Sequence, residues 1–142
     1  MRIAVASVVF LLVLVSAGLR ASVQTQDAAV TYSEEQAARG EQVYKTVCVE
    51  CHARKELSNA DFRVKWNGRS AFDLFERIRS TMPESNPGGL PRAQYLDATA
   101  FIAKLNGLAA GTVELPDDEA VLKKQLLPLP PPTHVGPTRP AR

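Results

Sequence analysis

Apolar residues recur with helical spacing in three stretches between Ser33 and Gly107, and no stretch alternates with the two-residue period of a strand. The first begins at Ser33, whose hydroxyl can cap a helix while Gln36 reaches back in a capping-box pattern; its stripe is Ala37, Gly40, Tyr44, Val47 and Cys51. The second opens at Ser70 with Asp73 in the first turn, buries Ala71, Leu74, Phe75 and Ile78, and is stopped by Met82 and Pro83. The third runs from about Pro91, a residue suited to a first helical position, through Tyr95, Ala98, Phe101, Ile102 and Leu105 to Asn106 and Gly107. A short fourth helix follows Pro116, capped by Asp117 and carrying Ala120, Val121 and Leu122. The pattern predicts an all-α domain of three main helices plus a short C-terminal one.

The two ends differ from this middle. Arg2 precedes an apolar run from Ile3 to Val15, and the small residues Ser16, Ala17 and Gly18 follow, which is the pattern of a secretory signal peptide over residues 1–21 with cleavage near Ala17 or Ala21. The alternative is an uncleaved anchor, although the run falls a little short of the ~20 residues a membrane span needs. Residues 22–31 read as a linker, 32–126 as the domain, and 127–142 as a tail; from Pro128 onward six of fifteen residues are proline, so this tail is read as extended or disordered.

Charge changes the picture little. The chain has 17 basic and 15 acidic side chains, and loss of Arg2 and Arg20 with the signal leaves a balanced protein. No basic face interleaved with aromatics argues for nucleic acid. About a hundred residues make one small core, to which a buried cofactor would add apolar surface.

The chemistry lies in Cys48-Val49-Glu50-Cys51-His52. C-x-x-C-H is the attachment pattern of a c-type haem: two thiols three residues apart project to one side of a helix and can form thioethers to one porphyrin, and His52 can reach the iron as proximal ligand. With only two cysteines in the chain, no second pair completes a four-ligand zinc site. A thioredoxin-like thiol pair is the competing reading, but that pair opens a helix after a strand, whereas this one ends a helical stretch. Export agrees with cysteines that end as thioethers. Met82 is the one methionine besides Met1, placed between a helix stop and a segment stiffened by Pro83 and Pro87. A lone Met is ordinarily core filler, but this placement makes it the candidate distal ligand. His134 is the other histidine and falls in the tail.

On these residues the chain resembles a class I monohaem cytochrome c of the bacterial periplasmic kind, over roughly Tyr32 to Gly107 and more weakly to Leu126. Gly40 and Tyr44 match the small residue and aromatic of that family's N-terminal helix, and Phe101 the aromatic that crosses against them. Thr81 to Leu90 and Leu105 to Pro116 resemble segments of cytochromes that act beside quinoprotein dehydrogenases. The resemblance implies an all-helical fold around one covalent haem c and a role as periplasmic electron carrier. Its partners would be a quinoprotein dehydrogenase as donor and a terminal oxidase or another cytochrome as acceptor. The chain departs from the family after His52: Ala53 stands in place of the glycine, and Pro83 is the first proline to follow, so which carbonyl orients the imidazole is left open.

Two further residues are candidate cofactor contacts: the Trp66 indole can donate to a haem propionate, and Arg69 can pair with the same carboxylate. Phe72, Leu74 and Phe75 read as core. With both axial positions filled by His52 and Met82, iron has no open site, so electron transfer is favoured over catalysis. The rival is a haem enzyme or gas sensor in which Met82 dissociates. Lys45, Arg54 and Lys55 flank the attachment residues and are read as a surface that steers acidic partners.

Overall fold

The computed structural model describes residues 28–130. The signal segment, most of the linker, His134 and the end of the proline-rich tail lie outside the described residues. Five helices and one two-stranded ladder follow in the order β1 (Ala28–Ala29), α1 (Glu34–Val43), α2 (Ala60–Trp66), α3 (Ala71–Thr81), α4 (Arg92–Leu105), α5 (Glu119–Lys124) and β2 (Gln125–Leu126). Among the described residues no helix is long and apolar enough to cross a membrane.

Ser33 caps α1, its hydroxyl accepting from the Gln36 N–H at 3.1 Å. Gln36 does not complete a capping box. Its buried amide donates to the Leu115 carbonyl at 3.1 Å and accepts from the Leu115 N–H at 2.7 Å. The Gln36 amide carries both donor and acceptor groups, so it pairs with both the carbonyl and the N–H of Leu115 and gives its Oε1 and Nε2 each a partner away from water. The helix then widens into a π-turn over Tyr44–Cys48. Cys51 therefore lies not on the α-helical stripe but in the turn beyond it, where the Cys51 and His52 N–H groups both donate to the Cys48 carbonyl, at 3.2 and 2.9 Å.

Helix α4 is the central element, with every residue from Tyr95 to Ala103 buried. It crosses α1 at Gly40, where an added Cβ would lie 1.9 Å from the Asp97 carbonyl oxygen and 2.8 Å from the Phe101 Cβ. The rings of Tyr44 and Phe101 meet one turn along, with centroids 5.5 Å apart. Arg39 clamps the crossing: its Nε and Nη2 donate to both oxygens of the nearly buried Asp97 at 3.1 and 3.0 Å, and its Nη1 reaches Glu114 at 2.9 Å. Helix α4 ends at Asn106, and Gly107 supplies the left-handed turn at φ +84°.

Helix α3 follows its sequence closely. Ser70 and Asp73 form a reciprocal capping box, Ala71, Leu74 and Phe75 are buried, and Met82 ends the helix at a cis Met82–Pro83 peptide. The short α2, capped by Asn59, and the 3-10 turn Arg54–Leu57 before it have no counterpart in the sequence reading. Helix α2 buries Trp66 alone and exposes 73% of Val64, so it shows no apolar stripe. The cap of α5 is Asp118, not Asp117, which pairs with Arg92.

The parallel β1–β2 ladder was likewise not anticipated: Ala28 pairs with Gln125 and Ala29 with Leu126. Two-residue strands are too short to alternate visibly. Burial continues past them, because Leu127 and Leu129 face the core while Pro128 and Pro130 face solvent. The first residues of the segment read as a tail, and Val30 of the segment read as a linker, thus belong to the packed body.

Candidate functional site

A cavity of about 340 Å³ collects Cys48, Cys51 and His52 from the end of the first helical segment and Met82 from the end of α3. Its other walls are mostly apolar, among them Val43 and Val47, Leu57 from the 3-10 turn, Ile78 from α3, and Ala98 and Ile102 from α4. A mainly apolar cleft of this size with a few convergent polar groups is the usual form of a cofactor site. Two thiols, an imidazole and a thioether in such surroundings fit a flat apolar macrocycle carrying iron, with thioether attachment through the cysteines and nitrogen and sulfur donors for the metal.

The thiols themselves are not paired in a disulfide. Burial pushes the Cys48 thiol up from its ordinary value, the reverse of the lowered value that a thiol-exchange cysteine requires. No described strand leads into the pair, which ends a helical segment.

The His52 main chain is held, its carbonyl accepting from the Tyr44 hydroxyl at 2.8 Å. Its Nδ1 lies 3.7 Å from Glu56 Oε2, beyond hydrogen-bond reach, so Glu56 is an exposed charge beside the imidazole. The turn carrying it is tied to α4, because Asn106 Nδ2 donates to the Leu57 carbonyl at 2.8 Å. Met82 is held by its main chain: its N–H donates to Ile78 and its carbonyl accepts from the Tyr95 hydroxyl, both at 2.8 Å.

Trp66 and Arg69 do not line this cavity. They border a separate groove with Lys65, Phe72 and Arg77, where the Arg69 guanidinium and the Lys65 ammonium lie 5.4 and 5.5 Å from the Trp66 ring centre. The turn between them is fixed to the C-terminal segment: the Gly68 N–H donates to the Leu127 carbonyl and the Leu127 N–H to the Arg69 carbonyl, each at 2.9 Å. That tie to a segment distant in sequence determines where the pair sits.

Two of the three basic residues beside the cysteines are paired with one carboxylate. Lys45 and Arg54 both pair with Glu41, at 3.2 and 2.8 Å, and the two hydrogen-bonded cations hold the Glu41 carboxyl below the usual carboxylate range. Arg54 also stacks over Tyr44 and Phe101, 5.5 and 5.3 Å from their centroids.

Residues 35–102 match the family described as Cytochrome C oxidase, cbb3-type, subunit III. No curated protein and no solved structure matches the chain. The matched stretch runs from the first turn of α1 into α4 and contains all four of Cys48, Cys51, His52 and Met82. The architecture of five helices and a very small sheet is that of an all-α cytochrome c fold, and the family match across this cavity supports a c-type cytochrome, a haem-based carrier of electrons rather than an enzyme.

Proposed function

We infer that the chain is a monohaem electron carrier in which Cys48 and Cys51 hold haem c and His52 and Met82 are the axial ligands. The observation that carries this is the convergence of all four side chains on one apolar cavity. When bound, the haem supplies a one-electron ferric–ferrous couple, and a thioether opposite an imidazole favours the reduced state. The protein supplies the rest. Tyr44 holds the His52 main chain, apolar side chains from α3 and α4 line the cavity, and Met82 would close the position where a substrate could otherwise meet iron.

The apolar run from Ile3 to Val15 supports export to the periplasm, with the segment either cleaved or kept as an anchor. A quinoprotein dehydrogenase as donor and a terminal oxidase or another cytochrome as acceptor fit the segments Thr81–Leu90 and Leu105–Pro116. The test is intact mass after denaturation, together with oxidised and reduced absorption spectra, of protein made in a host competent in haem attachment. The expected mass is that of the chain, processed or unprocessed, plus one haem. A mass equal to polypeptide alone overturns the assignment.

A further inference from the structure

The loop from Met82 to Leu90 connects α3 to α4 and carries the distal ligand, so its position decides whether the thioether meets iron. Within the loop the Asn86 N–H donates to the Pro83 carbonyl at 2.9 Å and the Gly89 N–H to the Asn86 carbonyl at 3.0 Å. These bonds fold the loop on itself without tying it to α4.

That tie comes from one hydroxyl. Tyr95, in the first turn of α4 and 1% exposed, donates to the Met82 carbonyl at 2.8 Å and accepts from the Leu90 N–H at 3.2 Å. The two ends of the loop are thereby joined through a single oxygen on the central helix. The ring of the same residue lines the cavity beside Met82.

Resting on the proposed His52/Met82 ligation, the geometry points to Tyr95 as the positioning residue for the distal ligand. A methionine side chain has three rotatable bonds and binds iron weakly, so ligation depends on its main chain staying in place. Groups that orient a ligand from behind tune metal affinity nearly as strongly as the ligand itself. Removing the Tyr95 hydroxyl leaves a carbonyl and an N–H without their partner at the two ends of the loop.

Tyr95→Phe tests this because it removes one oxygen and keeps the ring. Carbon monoxide is the probe, since it binds ferrous iron only where the distal position is open. The variant should retain covalent haem and raise the carbon monoxide-accessible fraction at least tenfold, a shift equivalent to about 1.4 kcal/mol. Its midpoint potential should fall and the Leu90 amide should exchange with solvent faster. Leu122→Ala is the control, because Leu122 is fully buried on α5 and does not line the cavity; it should lower overall stability and leave the iron closed. The proposal is overturned if Tyr95→Phe admits no more carbon monoxide than wild type, or if Leu122→Ala admits as much as Tyr95→Phe. Wild type that takes up carbon monoxide as Met82→Ala does would show that Met82 is not the ligand; the proposal then falls with the ligation, a result distinct from a closed wild type with a closed variant.

Discussion

Gly40 and Phe101 approach so closely that a Cβ on the glycine would come within 2.8 Å of the Cβ of the phenylalanine, and closer still to the Asp97 carbonyl. The first and last long helices thus cross backbone to backbone. Even Gly40→Ala must push them apart, and overpacking of this kind costs about 1–3 kcal/mol, more than the ~1 kcal/mol by which alanine outranks glycine in a helix. Urea unfolding of holoprotein should show a lower midpoint for Gly40→Ala and a lower one again for Gly40→Leu. Equal midpoints would refute the crossing.

Met82→Ala should leave haem attached, because the thioethers at Cys48 and Cys51 do not depend on the sixth ligand. The charge-transfer band of methionine-bound ferric haem should vanish and carbon monoxide should bind readily. Persistence of the band in the variant would exclude Met82 as ligand.

Glu41 bears on how partners dock. Because it binds both Lys45 and Arg54, Glu41→Gln should expose two cations beside the attachment residues and speed electron transfer with an acidic partner at low ionic strength. The gain should disappear as salt screens the field, and the midpoint potential should move little. A rate unchanged at low salt would place docking on another face.

Acid should weaken the fold in a defined window. Hydrogen bonds from arginine hold Glu76 and Glu114 below their ordinary values, and Glu41 is held down by Arg54 and Lys45 together. A carboxyl depressed in the folded state contributes stability above its unfolded value, and loses it as pH falls through the folded one. Stability should therefore be level from neutral pH to about pH 5 and decline below about pH 4, and Glu114→Gln should flatten that decline. Denaturant midpoints measured across pH provide the check.

What could be read from the sequence is what is local. The Ser70 start, apolar face and proline stop of α3 all fall within fourteen residues, and Cys48 to His52 are contiguous. The crossing of Gly40 and Phe101 was legible through the resemblance to the cytochrome c family, which places a small residue and an aromatic at these helix positions. What escaped depends on distant partners: Gln36 turns from its own helix end to Leu115, Ala28 pairs with Gln125, and Trp66 and Arg69 are drawn to a separate groove by the tie to Leu127. The 3-10 turn Arg54–Leu57 is the exception, local but without an apolar pattern of its own.

The ties of Leu126 and Leu127 to residues 68–70 decide what the second side of the short ladder can offer another chain. Leu126 bridges Ser70 on the side away from β1, and the Leu127 N–H and carbonyl are both taken by the turn at Gly68 and Arg69, so this side of β2 is covered and is no template for a further strand. Leu127 and Leu129 are committed inward, and the outward positions are Pro128 and Pro130, which have no N–H to offer a visiting strand. Inward leucines, outward prolines and the tie to residues 68–70 together leave this segment little free backbone hydrogen-bonding capacity for a second copy.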